Sequence, residues 1–350
     1  MKTIFLFFLI LLGFKGFAGL ISASEVSDTN YQQYYDATKA LPNGYVKDGS
    51  KDYTKYIQNA INNYKNILMP DFVISTTGLL AVSDSHIKFQ SNSKLKLIPT
   101  NRERYQVLAL HGVENVIVTD ANIEGDLKNH KGTKGEWGFG IDIRNSRNIT
   151  IKDAKVNNCW GDGIIVAYGT KGFLGRNTFE TANVTISGFN ISNCRRNGIT
   201  VGGVNNLILN NGVISKIKGT APETGIMIEP DYTQYVLRHI SITNVSIDNC
   251  STGISTNLRK YISQKVNKKF ELTISDVSLK NNRVGIYFAA FKNVEKLKSL
   301  NGNIKIQNIK TVNNVRSFVN NDKNSLFPAI KLDDFTIDGK KKNITNFSKF

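Results

Sequence analysis

The sequence predicts an all-β solenoid, a parallel β-helix of about nine rungs with a short N-terminal capping α-helix. Three observations lead there. A Gly-Ile pair recurs at Gly140, Gly163, Gly198, Gly225, Gly253 and Gly285, at spacings of 23, 35, 27, 28 and 32 residues; a period in this range marks a solenoid or another repeat array. Each unit carries three short β-branched runs, such as NITI, DAKVNNC and GIIVAY within 148–168, separated by polar or glycine turns. No unit holds a helical pattern, which excludes leucine-rich and armadillo repeats. Ahead of the rungs, Tyr53, Tyr56, Ile57, Ala60 and Ile61 follow helical spacing.

In chain order, residues 1–24 read as a secretory signal peptide: a lysine, an apolar run interrupted by Lys15, then small residues. Residues 25–51 form an extended lead-in. The helix at 52–63 is expected to cover the open end of the solenoid, which would otherwise pair with another chain. A single β-helix domain fills 52–340, and 341–350 form a basic tail. Spacings above 23 measure insertions, the largest being 167–180 and 257–271 after the third strand of their units. Loops that grow from one corner of a solenoid mark its binding face.

The chain has 350 residues and a net charge of +17, or +15 without Lys2 and Lys15. Such charge favours a polyanionic partner, whether acidic polysaccharide, nucleic acid or an anionic lipid surface; export argues against nucleic acid, and the partner expected is an acidic polysaccharide. After cleavage no stable membrane insertion is expected, because no later segment is long and apolar enough to span. The three cysteines, Cys159, Cys194 and Cys250, sit at one place in the repeat. They read as a stack of buried small side chains, with one bridge between neighbours still open.

Alternation in the third strand points Ile164 and Val166 inward. Outward columns follow: Asp142, Ile165, Thr200, Met227, Ser255 and Tyr287, then Arg144, Ala167, Gly202, Glu229, Asn257 and Ala289. The corner before this strand holds Trp160-Gly161-Asp162, Arg195-Arg196-Asn197 and Pro222-Glu223-Thr224. Glu136 and Trp137 lie one rung earlier, and Tyr168, Asp231, Tyr232, Lys171 and Arg176 follow the strand. A shallow trough results, with Trp160 and Asp162 on its rim. Asp162, Glu223, Glu229, Arg195 and Arg196 are the candidate catalytic groups. Trp137, Trp160, Tyr168, Asp231, Tyr232, Lys171 and Arg176 are the candidate substrate contacts, because aromatic faces stack on sugars while carboxylates and arginines supply acid, base and charge neutralisation. Asp162 and Glu223, taken as two rungs apart at one corner, would stand about 9–10 Å apart, near the upper end of an inverting pair's separation. Asp162 equally suits a turn cap, the two tryptophans corner packing, and His130 a surface loop. No cluster has zinc spacing; no cofactor is expected, and the one metal reading is calcium at Asp126, Glu136 and Asp162.

GYVKDGSKDYTKYIQNAINN, NILMPDFVIST and VSDSHIKFQSNSKLKLI resemble the opening of the pectin-lyase-like right-handed parallel β-helix superfamily, and the likeness spans about residues 43–340. It implies a right-handed coil. It also implies an activity among those of polysaccharide lyases, glycosidases, tailspike depolymerases and epimerases, because fold alone does not fix function. The aspartate cluster, histidine and Arg-x-Lys element of polygalacturonases are not matched. Arg195 and Arg196 suit the basic proton acceptor of pectate lyases, without an evident calcium ligand set. The expectation is an exported enzyme that cleaves an acidic glycan by hydrolysis or β-elimination; the alternative is a non-catalytic glycan-binding or surface-adhesion β-helix.

Overall fold

The computed structural model describes residues 33–169, 179–263, 267–291 and 297–342. The segment read as a signal peptide, the start of the lead-in, Lys171, Arg176 and most of the basic tail therefore lie outside the described residues.

From Tyr34 onward the chain winds as a right-handed parallel β-helix. One turn runs through Arg147–Lys152, Lys155–Asn157 and Ile164–Ala167, the three runs expected from sequence. The third runs stack into a nine-stranded parallel sheet: Leu79–Leu80, Arg104–His111, Trp137–Arg144, Ile164–Ala167, Asn197–Val201, Thr224–Ile228, Thr252–Thr256, Val284–Phe288 and Arg316–Asn320. The first two runs of each turn form the other faces and merge into single bent strands such as Val204–Ser215 and Leu237–Asp248.

Asparagine, aspartate and glycine make most of the bends. Asp120, Asp153, Gly188, Asn211, Asn244, Asp276, Asn308 and Asp334 stack rung on rung, all with φ between +47° and +65°. A parallel file runs through Asn158, Asn193, Lys216, Asn249, Asn281 and Asn313. Left-handed backbone is costly for most residues and tolerated best by Gly, Asn and Asp, so each corner selects them. At a third corner the side chains also bond along the axis: Asn148 Nδ2 donates to Asn115 Oδ1 at 2.9 Å, Asn183 to Asn148 at 3.0 Å and Asn206 to Asn183 at 3.0 Å.

The repeated glycine has a steric cause. A Cβ on Gly163 would stand 2.8 Å from the Gly198 carbonyl oxygen, and one on Gly198 would stand 2.6 Å from that of Gly225. Only a residue without a side chain lets rungs approach so closely. Behind the glycines Ile141, Ile164, Ile199, Ile226, Ile254 and Ile286 pair in register and fill the core. Cys159 and Cys194 are buried on neighbouring rungs, and all three cysteines are free thiols. Contact with Cys194, with burial, pushes the Cys159 thiol well above its usual range.

The helix spans Thr54–Asn63 and buries Ile57, Ala60 and Ile61. Asp52 Oδ1 accepts from the Thr54 amide at 2.8 Å, satisfying one free donor of the first turn. Gln58 donates Nε2 to the Leu80 carbonyl at 2.9 Å and accepts from the Leu80 amide at 2.8 Å. A side chain of the helix thus closes the edge of the nine-stranded sheet. The lead-in is more structured than an extended arm: Tyr35–Asp36 and Asp48–Asp52 pair with Asn66–Leu68 and Val73–Thr76. At the far end Lys340–Lys342 turns back antiparallel on the strand Ile330–Ile337.

Candidate functional site

The outward columns of the nine-stranded sheet are those read from alternation. Asp142 pairs with Ile165, Ile165 with Thr200, Thr200 with Met227, Met227 with Ser255 and Ser255 with Tyr287. Ile165, Thr200, Met227 and Ser255 are nonetheless buried, because the rims stand above them; Ile165 packs with Phe139 and Ala167. They form the floor of a trough.

Arg196 organises its centre. Its Nε donates to Glu136 Oε2 at 3.2 Å, Nη1 to Asp162 Oδ2 at 3.1 Å and Nη2 to Glu229 Oε2 at 3.3 Å. Three carboxylates from three different rungs meet one guanidinium, whose fork of donors suits such a junction. Burial works against the Arg196 charge, but Asp162, Glu229 and Glu136 together outweigh it and raise its affinity for the proton. Glu229 also accepts from Asn257 Nδ2 at 2.8 Å.

Asp162 does not stand on the rim. Its side chain is 0% exposed, lying beneath Arg196 and accepting from Thr200 Oγ1 at 2.7 Å. Thr200 in turn is held by Asn197 Nδ2 at 2.9 Å. Burial pushes the Asp162 carboxyl above the usual carboxylate range, against the pull of Arg196 and Thr200. This side chain holds Arg196 from below and has no surface open to solvent. Nor are Asp162 and Glu223 in one column. Asn197 pairs with Thr224, so Thr224 continues the Asp162 file and Glu223 falls one residue aside, where neighbouring side chains diverge. Glu223 Oε1 accepts from the Gly219 amide at 2.8 Å. The partly exposed carboxylates that Arg196 does bring together are Glu136 and Glu229, with side chains 36% and 25% exposed.

The rim before the strand is a three-layer stack. Arg195 lies 3.8 Å over the Trp160 ring, and His130 stacks on Trp160 with centroids 4.0 Å apart. Arg195 Nη1 donates to the Gly135 carbonyl at 2.8 Å. His130 is no surface residue: its side chain is fully buried, with Nδ1 2.8 Å from Asp126 Oδ2. Asp126 also accepts from the Tyr105 hydroxyl and from the Thr100 amide at 3.0 Å. Asp126, Glu136 and Asp162, the calcium reading, are thus each engaged by protein donors, and among the described residues no group of three or more His, Cys, Asp or Glu side chains is arranged for a metal. Trp137, 38% exposed, carries Arg104 over its ring at 4.8 Å.

On the opposite rim Tyr168 stacks on Tyr235 at 4.8 Å, and Tyr232 meets Tyr235 edge-on at 5.4 Å. Burial raises the Tyr168 hydroxyl above its ordinary range. Asp231 is exposed and paired with Lys260 at 3.1 Å. Below this rim lies a group that alternation placed in the columns without a role. Asp142 accepts from Arg144 Nε at 2.8 Å and lies 3.0 Å from His111 Nε2, all three buried. Burial would raise the Asp142 carboxyl, but Arg144 and His111 outweigh it and hold it below the usual carboxylate range.

C-terminal to Glu229 the trough deepens into a cavity of about 480 Å³, bordered by Asn257, Arg259, Arg283, Tyr287 and Arg316. Arg283 and Arg316 were missed in the sequence. Their available signal was an arginine at or beside the corner before a third strand, as in NNRVGIYF and NNVRSFVN.

Fold and trough define a class: a right-handed parallel β-helix with a charged, aromatic-rimmed groove across one sheet. No protein-family model matches the chain. Over 248 residues, 64% of this chain and 38% of the relative, it is 27% identical to the SPbeta prophage-derived uncharacterized protein YorA of Bacillus subtilis strain 168. Over 235 residues, 59% of this chain and 40% of the relative, it is 26% identical to the uncharacterized protein YclG of the same strain. The chain therefore spans about two fifths of the length of these curated relatives. Among solved structures it is similar to the polygalacturonase of Erwinia carotovora ssp. carotovora, with a TM-score of 0.54 and 13% identity over 83% of this chain and 92% of that one. At that identity the likeness shows the fold alone.

Proposed function

We propose that the protein is an exported enzyme that binds an acidic polysaccharide along the trough of the nine-stranded sheet and cleaves a glycosidic bond over Glu229. The observation that carries this reading is the setting of Glu229. In a column otherwise filled downstream of Arg144 by Ala, Gly and Asn, it is a partly exposed carboxylate. Arg196 and Asn257 fix both its oxygens, and Asn257 also borders the arginine-lined cavity. A carboxylate held by two donors keeps its acceptor lone pairs aimed, as a general base or a stabiliser of developing positive charge requires. Glu136, on the same guanidinium, supplies the second carboxylate that glycoside hydrolysis uses.

The net charge of +17 supports an acidic chain as substrate, and the fold shared with a polygalacturonase supports a glycan. Among the described residues no helix is long and apolar enough to cross a membrane; the segment that motivates export, residues 1–24, lies outside them. One observation favours a second reading, glycan binding without cleavage: Arg196 engages all three central carboxylates, as a purely structural junction would. Incubation with a panel of acidic polysaccharides, with reducing ends and unsaturated-product absorbance read in parallel, decides among the outcomes. New reducing ends without absorbance mark hydrolysis, both together mark elimination, and retention of intact glycan without either marks a binder.

A further inference from the structure

We infer that the cavity on the C-terminal side of Glu229 is an anion subsite, which takes the carboxylate or sulfate group of one sugar of a bound glycan. It deepens the glycan reading and rests on it for the kind of ligand, though not on catalysis by Glu229. Three guanidinium groups border the cavity, on Arg259, Arg283 and Arg316. Their bonding differs from that of Arg144 and Arg196. Arg144 and Arg196 are paired with carboxylates. Arg283 reaches a neutral partner instead: its Nε and Nη2 both donate to Ser251 Oγ at 3.3 Å. Arg259 Nε donates to the Ala290 carbonyl at 2.8 Å. Among the described residues none of the three is in an ion pair.

The one acidic side chain on the wall, Glu223, is turned to the Gly219 amide. Three positive groups against one carboxylate around the concavity leave a net positive charge that raises the local potential for an anion. The guanidinium fork matches a carboxylate or sulfate in two-point contact. The Ser251 and Ala290 contacts hold two of the forks in place without neutralising them. Tyr287 lies on the floor of the same cavity, its hydroxyl accepting from Asn321 Nδ2 at 3.0 Å, and offers a ring face for the sugar itself. The subsite adjoins the candidate reaction centre directly, since Asn257, which borders the cavity, is the residue that bonds Glu229.

The test is binding of a glycan array carrying oligogalacturonates, their methyl esters, heparin-derived sulfated oligosaccharides and neutral cello-oligosaccharides. Wild type, E229Q, R283A/R316A and R283K/R316K are compared at low and high salt. Wild type and E229Q are expected to retain a carboxylated or sulfated probe alike, and neutral and esterified probes to be lost. R283A/R316A should bind at least tenfold more weakly, with an unchanged melting temperature. The lysine pair, which keeps the charge but not the fork, should fall between. Whether carboxylated or sulfated probes bind more tightly identifies the source of the anion. Wild-type affinity in R283A/R316A, equal retention of neutral probes, or retention of no acidic probe would each overturn the inference. An E229Q protein with full cleavage activity would instead remove the role proposed for Glu229 and leave this subsite standing.

Discussion

Single residues in this protein fall into those that shape the backbone and those that manage buried charge. Asn244 belongs to the first kind: it sits at φ +52° and donates to Asn211 Oδ1 at 2.8 Å. A β-branched residue there should cost about 2 kcal/mol or more, from left-handed strain together with the lost hydrogen bond. Urea unfolding of N244V checks it, and wild-type stability would contradict the corner account. Asp142 belongs to the second kind. Its folded-state carboxyl is held below the ordinary range by Arg144 and His111 acting against burial. A lowered carboxyl contributes stability that is present above the unfolded value of about 3.9 and lost as pH falls through the lower folded one. Wild type should therefore lose stability steeply below about pH 4, while D142N should show a flatter acid limb and, at pH 7, a deficit of about 3 kcal/mol because the buried Arg144 loses its carboxylate. Parallel acid limbs in unfolding curves of the two proteins would contradict this.

At the scale of elements, the helix Thr54–Asn63 and the corner segments carry the argument. Ile57 is fully buried under the helix, so I57D should cost several kcal/mol, a large share of a domain's margin. A melting temperature unchanged by I57D would show that the helix does not cover the core. The helix was legible because its apolar spacing is local. So were the outward columns, since the Gly-Ile anchor sets the phase of a period-two pattern. The Asp162–Arg196 junction was not legible. It joins side chains on adjacent rungs, and whether a corner carboxylate rises to the rim or dives beneath a neighbouring arginine depends on side-chain reach, which alternation does not encode. His130 was misread for a related reason. Its loop folds back on Trp160 and buries the imidazole against Asp126, a contact between segments whose sequences carry no shared period. The Glu223 error was a register slip of one residue at a corner, where extended alternation breaks.

At the scale of the whole molecule, the described residues from Tyr34 onward stack as rungs of a parallel β-helix, and its nine-stranded sheet carries a trough with aromatic rims, a central three-carboxylate junction and an arginine-lined end. The fold was almost entirely legible, because every rung repeats the same demands. The site was legible only in outline, because function lies in the positions that depart from the repeat, and the sequence marks a departure without saying where the side chain ends. Glu229 is the departure on which the functional reading depends. The most direct measurement is the turnover and affinity of E229Q on whichever acidic polysaccharide the wild-type protein cleaves. The account predicts that turnover falls by about a hundredfold or more, as loss of general acid–base help implies, with binding within a few-fold of wild type. Turnover within a few-fold of wild type would contradict it and move the chemistry away from Glu229.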